Sequence, residues 1–461
     1  MSLRVDAALE DGIRRIRAEL GVPTGFPAAA AMEAVVAARS EPGTDHIDRT
    51  DRSFITLDPP DAVDLDQAFT IERSGGDLIL HYAIADVGWF VEPGSPLDEE
   101  AWRRGVTVYL PGQKARLYPA ALSEGAASLL PDGPRPAVVF TTRVDGGGDV
   151  RLEGAERALV RSRAKLAYDT VGPGDLPDGF SDLAARIEAA EDRRGAPRVE
   201  FPDQELELVD GSWVLRIEPR RESEDHNAAL SLATNMAVAD ALLAAGTGLF
   251  RVMAEPTARE VERLRHSATA FGLRWPQDQS LADFRRTLRR GDPGADAFLI
   301  AVRRAGGGAS YVELDDDSED RPWHSAIAAA YVHATAPLRR LADRYVVDAT
   351  VAVAAGEAVP EHARAAFGLL PKVMARAESL AHRAENAVIE LAEAVLLAGR
   401  EDEVFDAVVV DEDHRGTLIQ LVDPAVLAHV TAHHVAPGDS VRVRLVTADV
   451  DRRTVEFHRI S

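Results

Sequence analysis

The stretch TLDPPDAVDLDQAF carries four aspartates within nine positions: Asp58, Asp61, Asp64 and Asp66. Residues two apart in an extended segment share a face, so Asp64 and Asp66 project together. The two prolines after Asp58 bar a helix and let the chain bring that residue back towards the pair. Clustered carboxylates repel one another unless a cation neutralises them, and all-oxygen sites suit Mg²⁺ or Mn²⁺. Spacing alone leaves two interpretations open: a metal site and an acidic turn facing water.

A second stretch, HATAPLRRLADR, contains residue types that bind anions. Thr335 is predicted to cap a helix whose first turn holds Pro337, so free backbone N–H groups would point towards an incoming phosphate. Arg339 falls in that turn, where its planar guanidinium could clamp a phosphate and offset transition-state charge. The alternative is an ordinary i,i+4 ion pair between Arg339 and Asp343 on the surface.

The composition of the chain limits which class of protein it can be and which side chains can bind a metal. The chain has 461 residues, 46% of them hydrophobic, which predicts a large core and about two to four domains. It contains no cysteine, so any metal must be held by carboxylates or histidines. The net charge of -24 disfavours loose adhesion to DNA or membranes, but salt screens exposed charges beyond about 8 Å, which leaves a locally basic groove open. No apolar run approaches the roughly 20 residues of a bilayer span, and we expect a cytoplasmic protein.

Three regions differ in pattern. Residues 1–50 predict two helices, Ala7 to Leu20 and Ala28 to Ser40, as a helix-turn-helix-like appendage that either reads DNA or packs as a cap on its neighbour. Residues 51–400 begin with strands and end with helices, an α+β arrangement. One apolar face of the last predicted helix comprises Leu380, Ala384, Val388, Leu391 and Val395.

The tail, residues 401–461, predicts short alternating strands of a small antiparallel barrel that resembles an OB-fold RNA-binding domain. In its closing half Val441, Val443 and Leu445 would point inward, whereas Arg442 and Arg444 would point out. The barrel either contacts RNA or only packs on the core.

The acidic stretch is followed by HYAIADVGWFVEPGSPLDEEAWRRGVTVYLPG, YPAALSEGAASLLPDGPRPA and YVHATAPLRRLADRYV. Together these stretches resemble, in order, the catalytic RNB domain of the ribonuclease II/R family. The OB-like tail sits where that family carries an OB domain. The resemblance implies a processive, single-strand-specific 3′→5′ exoribonuclease that needs Mg²⁺, with Mn²⁺ as an alternative, and releases nucleoside 5′-monophosphates.

The resemblance also implies which residues act. It makes Asp58, Asp64 and Asp66 the metal ligands and gives Asp64, Asp66 and Arg339 catalytic roles, with Asp66 the most important ligand. Two ions about 4 Å apart would supply an activated water and offset the charge on the leaving 3′ oxygen.

Three further residues are implied to bind substrate. Tyr109 matches a tyrosine that stacks on a base near the 3′ end, the alternative being a buried strand tyrosine. His333 matches a histidine more suited to a backbone or phosphate contact than to metal. Glu385 matches a glutamate that contacts the terminal nucleotide, and a solvent-facing helix glutamate is its alternative.

Gln67 stands where many members of the family carry one more aspartate. The pair of amino-terminal cold-shock barrels usual in the family is not found ahead of the RNB-like region, which implies a wider RNA entrance. Three hypotheses follow: an active exoribonuclease, an RNA-binding protein with weakened catalysis, and a DNA-binding regulator using residues 1–50. We expect a monomer that acts on single-stranded RNA, with no membrane partner and no DNA substrate.

Overall fold

The structure is a computed structural model. It describes residues 2–42, 45–196, 203–209, 212–218, 221–288, 295, 298–299, 302, 308–314, 321–413, 416–422, 426–431, 435 and 439–460.

A seven-stranded sheet forms the centre of the molecule, with strand order β1-β8-β7-β4-β3-β2-β9. Its strands are β1 (Ile47–Asp48), β2 (Phe54–Asp58), β3 (Gln67–Ser74), β4 (Asp77–Ala85), β7 (Arg135–Val144), β8 (Val150–Val160) and β9 (Ser162–Ala167). Neighbours are antiparallel except at the two ends, where β1 pairs with β8 and β2 with β9 in parallel. The middle strand β4 is buried over nearly its whole length, as expected for a strand covered on both faces.

Helices cover this sheet. The described helices are α1 (Ser2–Glu19), α2 (Ala28–Ala37), α3 (Val87–Phe90), α4 (Pro96–Arg104), α5 (Phe180–Arg194), α6 (Glu222–Ala244), α7 (Ala258–Ala270), α8 (Leu281–Arg286), α9 (Leu341–Ala354), α10 (Glu361–Phe367) and α11 (Leu370–Leu397). Both α6 and α9 pack on β8. In α11 the predicted apolar face is found: Ala384 and Leu391 are fully buried and Leu380 is partly buried.

The amino-terminal helices share the core of the central sheet. Leu9, Ile13 and Ile16 of α1 belong to the same buried cluster as the strands. Helix α1 packs on α11 so closely that a β-carbon at Gly12 would overlap the side chain of Leu391. This packing favours the cap interpretation of residues 1–50, while the predicted domain boundaries stay a prediction.

The tail forms the predicted small barrel with its own core, but the barrel is not wholly antiparallel, because β16 (Leu427–Thr431) and β18 (Thr454–Arg459) pair in parallel. Its strands run in the order β14-β15-β16-β18-β17. They are β14 (Val404–Asp413), β15 (Gly416–Leu421), β16 (Leu427–Thr431), β17 (Ser440–Asp449) and β18 (Thr454–Arg459). Val441, Val443 and Leu445 point into the barrel and Arg442 and Arg444 are exposed, so the predicted inside-outside pattern of β17 is confirmed.

Three two-stranded ribbons complete the described strands. They are β5 (Val108–Leu110) with β6 (Gln113–Ala115), β10 (Asp203–Val209) with β11 (Ser212–Glu218), and β12 (Leu249–Val252) with β13 (Ser310–Glu313). The first of these ribbons lies beside the acidic stretch.

Helix α6 is long and apolar enough to cross a membrane by length and composition alone. This finding differs from the expectation that no apolar run approaches the roughly 20 residues of a bilayer span. Half of the apolar window is buried inside the structure, and core helices pass the same test.

Candidate active site

The acidic stretch connects two neighbouring strands of the sheet. Asp58 is the last residue of β2, and Asp66 immediately precedes β3, with its carbonyl accepting the N–H of Ala85 at 2.9 Å. The side chain of Asp66 is buried, whereas Asp61 is exposed. The sheet therefore fixes both ends of the stretch and leaves Asp61 to solvent.

Asp66 meets the second predicted stretch directly. Its Oδ1 accepts the backbone N–H of Leu338 at 2.7 Å. Its Oδ2 lies 3.5 Å from Nε of Arg339, whose side chain is 47% exposed. The aspartate and the arginine that the sequence assigns to one site are thus in contact, and the arginine stays accessible to an anion.

The segment before α9 is not the helix that the sequence predicts. Residues 337–339 form a turn and α9 begins at Leu341, so Thr335 is not an N-cap. Its hydroxyl instead lies 2.9 Å from that of Ser231 on α6. Proline disfavours helical backbone at the residue before it, which keeps residue 336 out of a helix.

The predicted anion site on free backbone N–H groups is also wrong. Side-chain oxygens take these donors: Asn235 accepts from Ala334 at 2.9 Å, and Asp343 accepts from Ala336 at 2.7 Å. With the bond from Leu338 to Asp66, three alternate N–H groups of this segment are satisfied from three different elements. The segment is held rigidly, and the remaining anion-binding group is the Arg339 side chain.

The surface ion pair proposed as an alternative for Arg339 belongs to its neighbour. Arg340 donates through Nε and an Nη nitrogen to both carboxylate oxygens of Asp343, at 2.9 and 2.8 Å. Asp343 is fully buried. Arg340 therefore has a structural role, which leaves Arg339 free to face Asp66.

Asp64 contacts the β5–β6 ribbon. Its Oδ1 accepts Nζ of Lys114 at 2.7 Å, and its Oδ2 lies 3.4 Å from the Tyr109 hydroxyl. Tyr109 and Lys114 face each other across the ribbon, with Nζ 5.6 Å from the ring centroid. At 47% exposure Tyr109 is not the buried strand tyrosine of the alternative interpretation, and its ring is available to a base.

Burial makes two of the carboxylates hard to ionise. It raises the pKa of Asp58 and of Asp66 to about 7, and Arg339 opposes the rise in each case. Asp64 adds to the rise at Asp58 through charge repulsion. A bound cation would lower the pKa of both carboxylic acids, because it stabilises their charged form.

The three aspartates do not form a ready metal cage. Within the described chain, no three His, Asp or Glu side chains converge into a group that could hold a metal ion. Asp64 contacts Lys114 instead, and Asp66 contacts Leu338 and Arg339.

The chemistry of these groups nevertheless fits a divalent cation. Asp58 Oδ2 is buried with no hydrogen-bond partner among the described residues. A buried carboxylate oxygen without a donor is costly, and a hard cation with oxygen ligands would satisfy it. The roles of Asp58, Asp64 and Asp66 as metal ligands stay a prediction that this observation supports.

Gln67 is engaged in the interior rather than in the site. Its Oε1 accepts the hydroxyl of Tyr82, a fully buried residue of β4. The amide oxygen that could have replaced a missing carboxylate therefore already has a partner.

His333 lies in a separate aromatic group. Its Nδ1 is 2.7 Å from the Tyr311 hydroxyl, and its ring makes an edge contact with Tyr331. Burial, followed by the charges of Arg340 and Arg251, holds the pKa of His333 well below its usual value. The ring is thus neutral at neutral pH, and its predicted contact with phosphate cannot be that of a cation.

Glu385 lies on the exposed side of α11. Its side chain is 69% exposed and lies 3.7 Å from His382, one turn earlier in the helix. None of the contacts described for it joins it to the aspartates. The structure matches the solvent-facing alternative, and its contact with a nucleotide stays a prediction.

Sequence reasoning missed two contributors to this site. The Pro111–Gly112 turn, with Gly112 at a φ of +68°, closes a two-residue hairpin that sets Lys114 opposite Tyr109. Asn227, Ser231 and Asn235 recur every four residues, which places them on one face of α6. Both features could have been predicted from the sequence: the Pro-Gly pair indicates a turn, and the four-residue spacing indicates one polar face of a helix.

Comparisons with known proteins agree with this organisation. Residues 46–354 match the RNB domain family, and residues 403–460 match the C-terminal S1 domain of RNase II-type exonucleases. Ribonuclease R of Escherichia coli (strain K12) is 29% identical over 326 residues, covering 64% of this chain and 39% of that protein. Exoribonuclease 2 of Cronobacter sakazakii is 29% identical over 410 residues, covering 84% of this chain and 62% of that protein. The chain thus spans less than two thirds of either relative.

Solved structures share the fold. Mycoplasma genitalium RNase R in complex with ribose-methylated single-stranded RNA superposes with a TM-score of 0.86 at 18% identity, covering 97% of this chain and 77% of that one. Yeast Ssd1, described as a pseudonuclease, gives a TM-score of 0.68 at 18% identity, covering 83% of this chain and 50% of that one.

Proposed function

The chain belongs to the RNB-domain family of ribonuclease R and exoribonuclease 2, and from this premise we propose that it is a Mg²⁺-dependent exoribonuclease. It degrades single-stranded RNA processively from the 3′ end and releases nucleoside 5′-monophosphates. The observation that carries the proposal is the contact of Asp66 with Leu338 and Arg339. An ionisable carboxylate and an accessible guanidinium meet there, beside the exposed ring of Tyr109.

Each side chain has a task in this proposal. Arg339 binds the scissile phosphate and offsets charge that develops on it, since its guanidinium is half exposed yet anchored to Asp66. Tyr109 stacks on a base near the 3′ end without reading its identity. Asp58, Asp64 and Asp66 hold the metal, which when bound supplies an activated water and offsets charge on the leaving oxygen.

The substrate assignment rests on two supports. The carboxyl-terminal barrel matches the S1 domain of RNase II-type exonucleases, and a relative of the same fold was solved with single-stranded RNA. OB-type barrels bind single strands through basic and aromatic surfaces, so the barrel would guide RNA towards the RNB region.

An RNA-binding protein without catalysis is the second candidate. It is favoured by Gln67 and Asp64, whose oxygens are engaged by Tyr82 and Lys114. A pseudonuclease also shares the fold.

One assay separates the two functions. Single-stranded RNA labelled at its 5′ end is incubated with the protein and Mg²⁺ or Mn²⁺, with Asp66→Asn as the matched variant. Shortening from the 3′ end by wild type but not by the variant supports the exoribonuclease, and thin-layer chromatography of 3′-labelled RNA identifies the released mononucleotide. Full-length RNA with retained binding would reject the exoribonuclease and favour the second candidate.

A further inference from the structure

Lysine is rare in this protein and is concentrated beside the acidic stretch. Of its 52 Lys and Arg residues only Lys114, Lys165 and Lys372 are lysines. Nζ of Lys114 contacts Asp64, and Nζ of Lys165 donates to the carbonyl of Pro60 at 2.7 Å. The ion pairs that the structure describes elsewhere use Arg or His, so the choice of lysine at Asp64 departs from the pattern of the chain.

The two kinds of cation hold a carboxylate differently. A guanidinium binds both oxygens with two parallel hydrogen bonds, whereas an ammonium is a compact charge on a flexible stem. Lys114 reaches only Oδ1 of Asp64, and its side chain is 28% exposed. It can therefore swing into solvent at small cost, which an arginine paired through both oxygens could not do.

The same oxygen is needed by a metal. Asp64 is one of the three carboxylates that hold Mg²⁺ in the proposed function, and a divalent cation and an ammonium cannot share one carboxylate oxygen without repulsion. We propose that Lys114 is a resident counter-ion of Asp64, which a divalent metal displaces on binding, and that Lys114 thereby sets the metal affinity of the site. The proposal rests on the metal-binding part of the proposed function.

Charge balance shows what such a residue does for the protein. Lys114 and Arg339 offset two of the three negative charges that Asp58, Asp64 and Asp66 carry when all three are ionised. The carboxylates are thus largely neutralised before metal arrives, which reduces repulsion around the buried side chain of Asp66. The consequence is weaker metal binding than three free carboxylates would give.

The test measures metal binding directly, with no RNA present. The full chain, stripped of metal with a chelator, is titrated with Mn²⁺, and free Mn²⁺ is read by electron paramagnetic resonance. Lys114→Met removes the competitor and is expected to tighten binding by about three- to tenfold, the scale of a partly buried ion pair. Lys114→Arg replaces it with a two-pronged competitor and is expected to weaken binding by about twofold or more.

Lys165→Met is the matched control. It removes an equal charge that acts on Asp58 from a distance, but its ammonium bonds a carbonyl and occupies no carboxylate oxygen. We expect its Mn²⁺ affinity to stay within about twofold of wild type, because exposed charges are screened. Equal increases in Mn²⁺ affinity in Lys165→Met and Lys114→Met would mean that any nearby positive charge weakens metal binding, and would overturn the proposal.

Other outcomes are equally decisive. Unchanged or weaker Mn²⁺ binding by Lys114→Met overturns the proposal, as does an absence of binding by both wild type and that variant. If Lys114→Met fails to fold by circular dichroism, Lys114→Arg decides, and a wild-type affinity there overturns the proposal. Tighter Mn²⁺ binding in a protein that leaves RNA intact would keep the counter-ion role and reject the exoribonuclease.

Discussion

The backbone N–H of Leu338 donates a 2.7 Å hydrogen bond to Asp66 Oδ1, and this bond joins segments 272 positions apart in the chain. Neither group is exposed, so the bond cannot be exchanged for one to water without opening the site. It fixes the carboxylate on the arginine-bearing turn. Asp66 is therefore at once a candidate ligand and a structural acceptor, and these two roles can be separated by substitution.

Asp66→Asn keeps an oxygen to accept the Leu338 N–H, whereas Asp66→Ala removes it. We expect both variants to lose RNA hydrolysis. In metal-free protein, however, Asp66→Ala should unfold with a free energy about 1–3 kcal/mol lower than Asp66→Asn, the usual cost of a buried donor without a partner. Urea denaturation in a chelator compares them, and equal stabilities would mean that the bond is not important for the fold.

Arg339 and Arg340 are adjacent but should respond oppositely to truncation. Arg339→Ala should lower kcat by about 10²–10³-fold, as removal of a group that stabilises transition-state charge does, and lower stability by about 1 kcal/mol or less, because its contact with Asp66 is half exposed. Arg340→Ala leaves the fully buried Asp343 without its cation and should cost about 3–5 kcal/mol. Steady-state hydrolysis and urea denaturation of both variants check this, and a stable Arg340→Ala protein would contradict it.

The local elements near the site could be predicted because each has a short-range cause. Alternation predicts β17, and helical spacing predicts the buried face of α11. In the site, extended backbone predicts that Asp64 and Asp66 lie near one another. The approach of Leu338 to Asp66 has no such local signal, since it depends on how the sheet and α9 pack.

The error at Thr335 shows the same limit. The sequence Thr-Ala-Pro satisfies the local rules for a helix start, yet its hydroxyl contacts Ser231 on α6 and the N–H of Ala336 goes to Asp343. Ser231 lies more than a hundred positions from Thr335 in the chain, and Asp343 lies in the helix that follows, so packing between elements decides which hydrogen bonds form. Local capping rules consider only the hydrogen bonds that a segment can form within itself. They do not include an acceptor for its N–H groups, such as Asp343, that tertiary packing supplies.

Gln67 and Tyr82 should be coupled energetically through their buried hydrogen bond. A double-mutant cycle with Gln67→Ala and Tyr82→Phe should give an interaction free energy of about 1 kcal/mol in urea denaturation. Gln67→Glu keeps the side-chain length and should retain the contact. Gln67→Asp is one methylene shorter and should be the less stable of the two acidic variants, and the reverse order would show that Tyr82 does not fix the position of Gln67.

Tyr109 should contribute to RNA binding through its ring rather than its hydroxyl. In metal-free protein, Tyr109→Leu should weaken binding of single-stranded RNA by about 1–3 kcal/mol, the scale of one base stacked on an aromatic ring. Tyr109→Phe should bind nearly as wild type, because the 3.4 Å hydroxyl contact with Asp64 is weak. Fluorescence anisotropy of labelled RNA measures both, and equal losses would assign the effect to the hydroxyl.

His333 should make the folded protein less stable as the pH falls. Its pKa in the folded state is held well below its usual value by burial, followed by the charges of Arg340, Arg251, His324 and Arg339. An unfolded chain would titrate the same ring near 6.5, so below that pH the unfolded state binds more protons than the folded state. The stability contributed by neutral His333 is therefore complete above about pH 6.5 and is lost as the pH falls.

His333→Gln removes this proton uptake while keeping polar atoms near Tyr311. Its stability should be lower than wild type at pH 8, where packing of the ring is lost, and the gap should narrow by about 1–2 kcal/mol between pH 6.5 and pH 5. Urea denaturation at pH 8, 6.5 and 5 measures the gap, with the exposed His266→Gln on α7 as the control variant. A constant gap across this range would mean that His333 is accessible to protons in the folded state and can meet a phosphate as a cation.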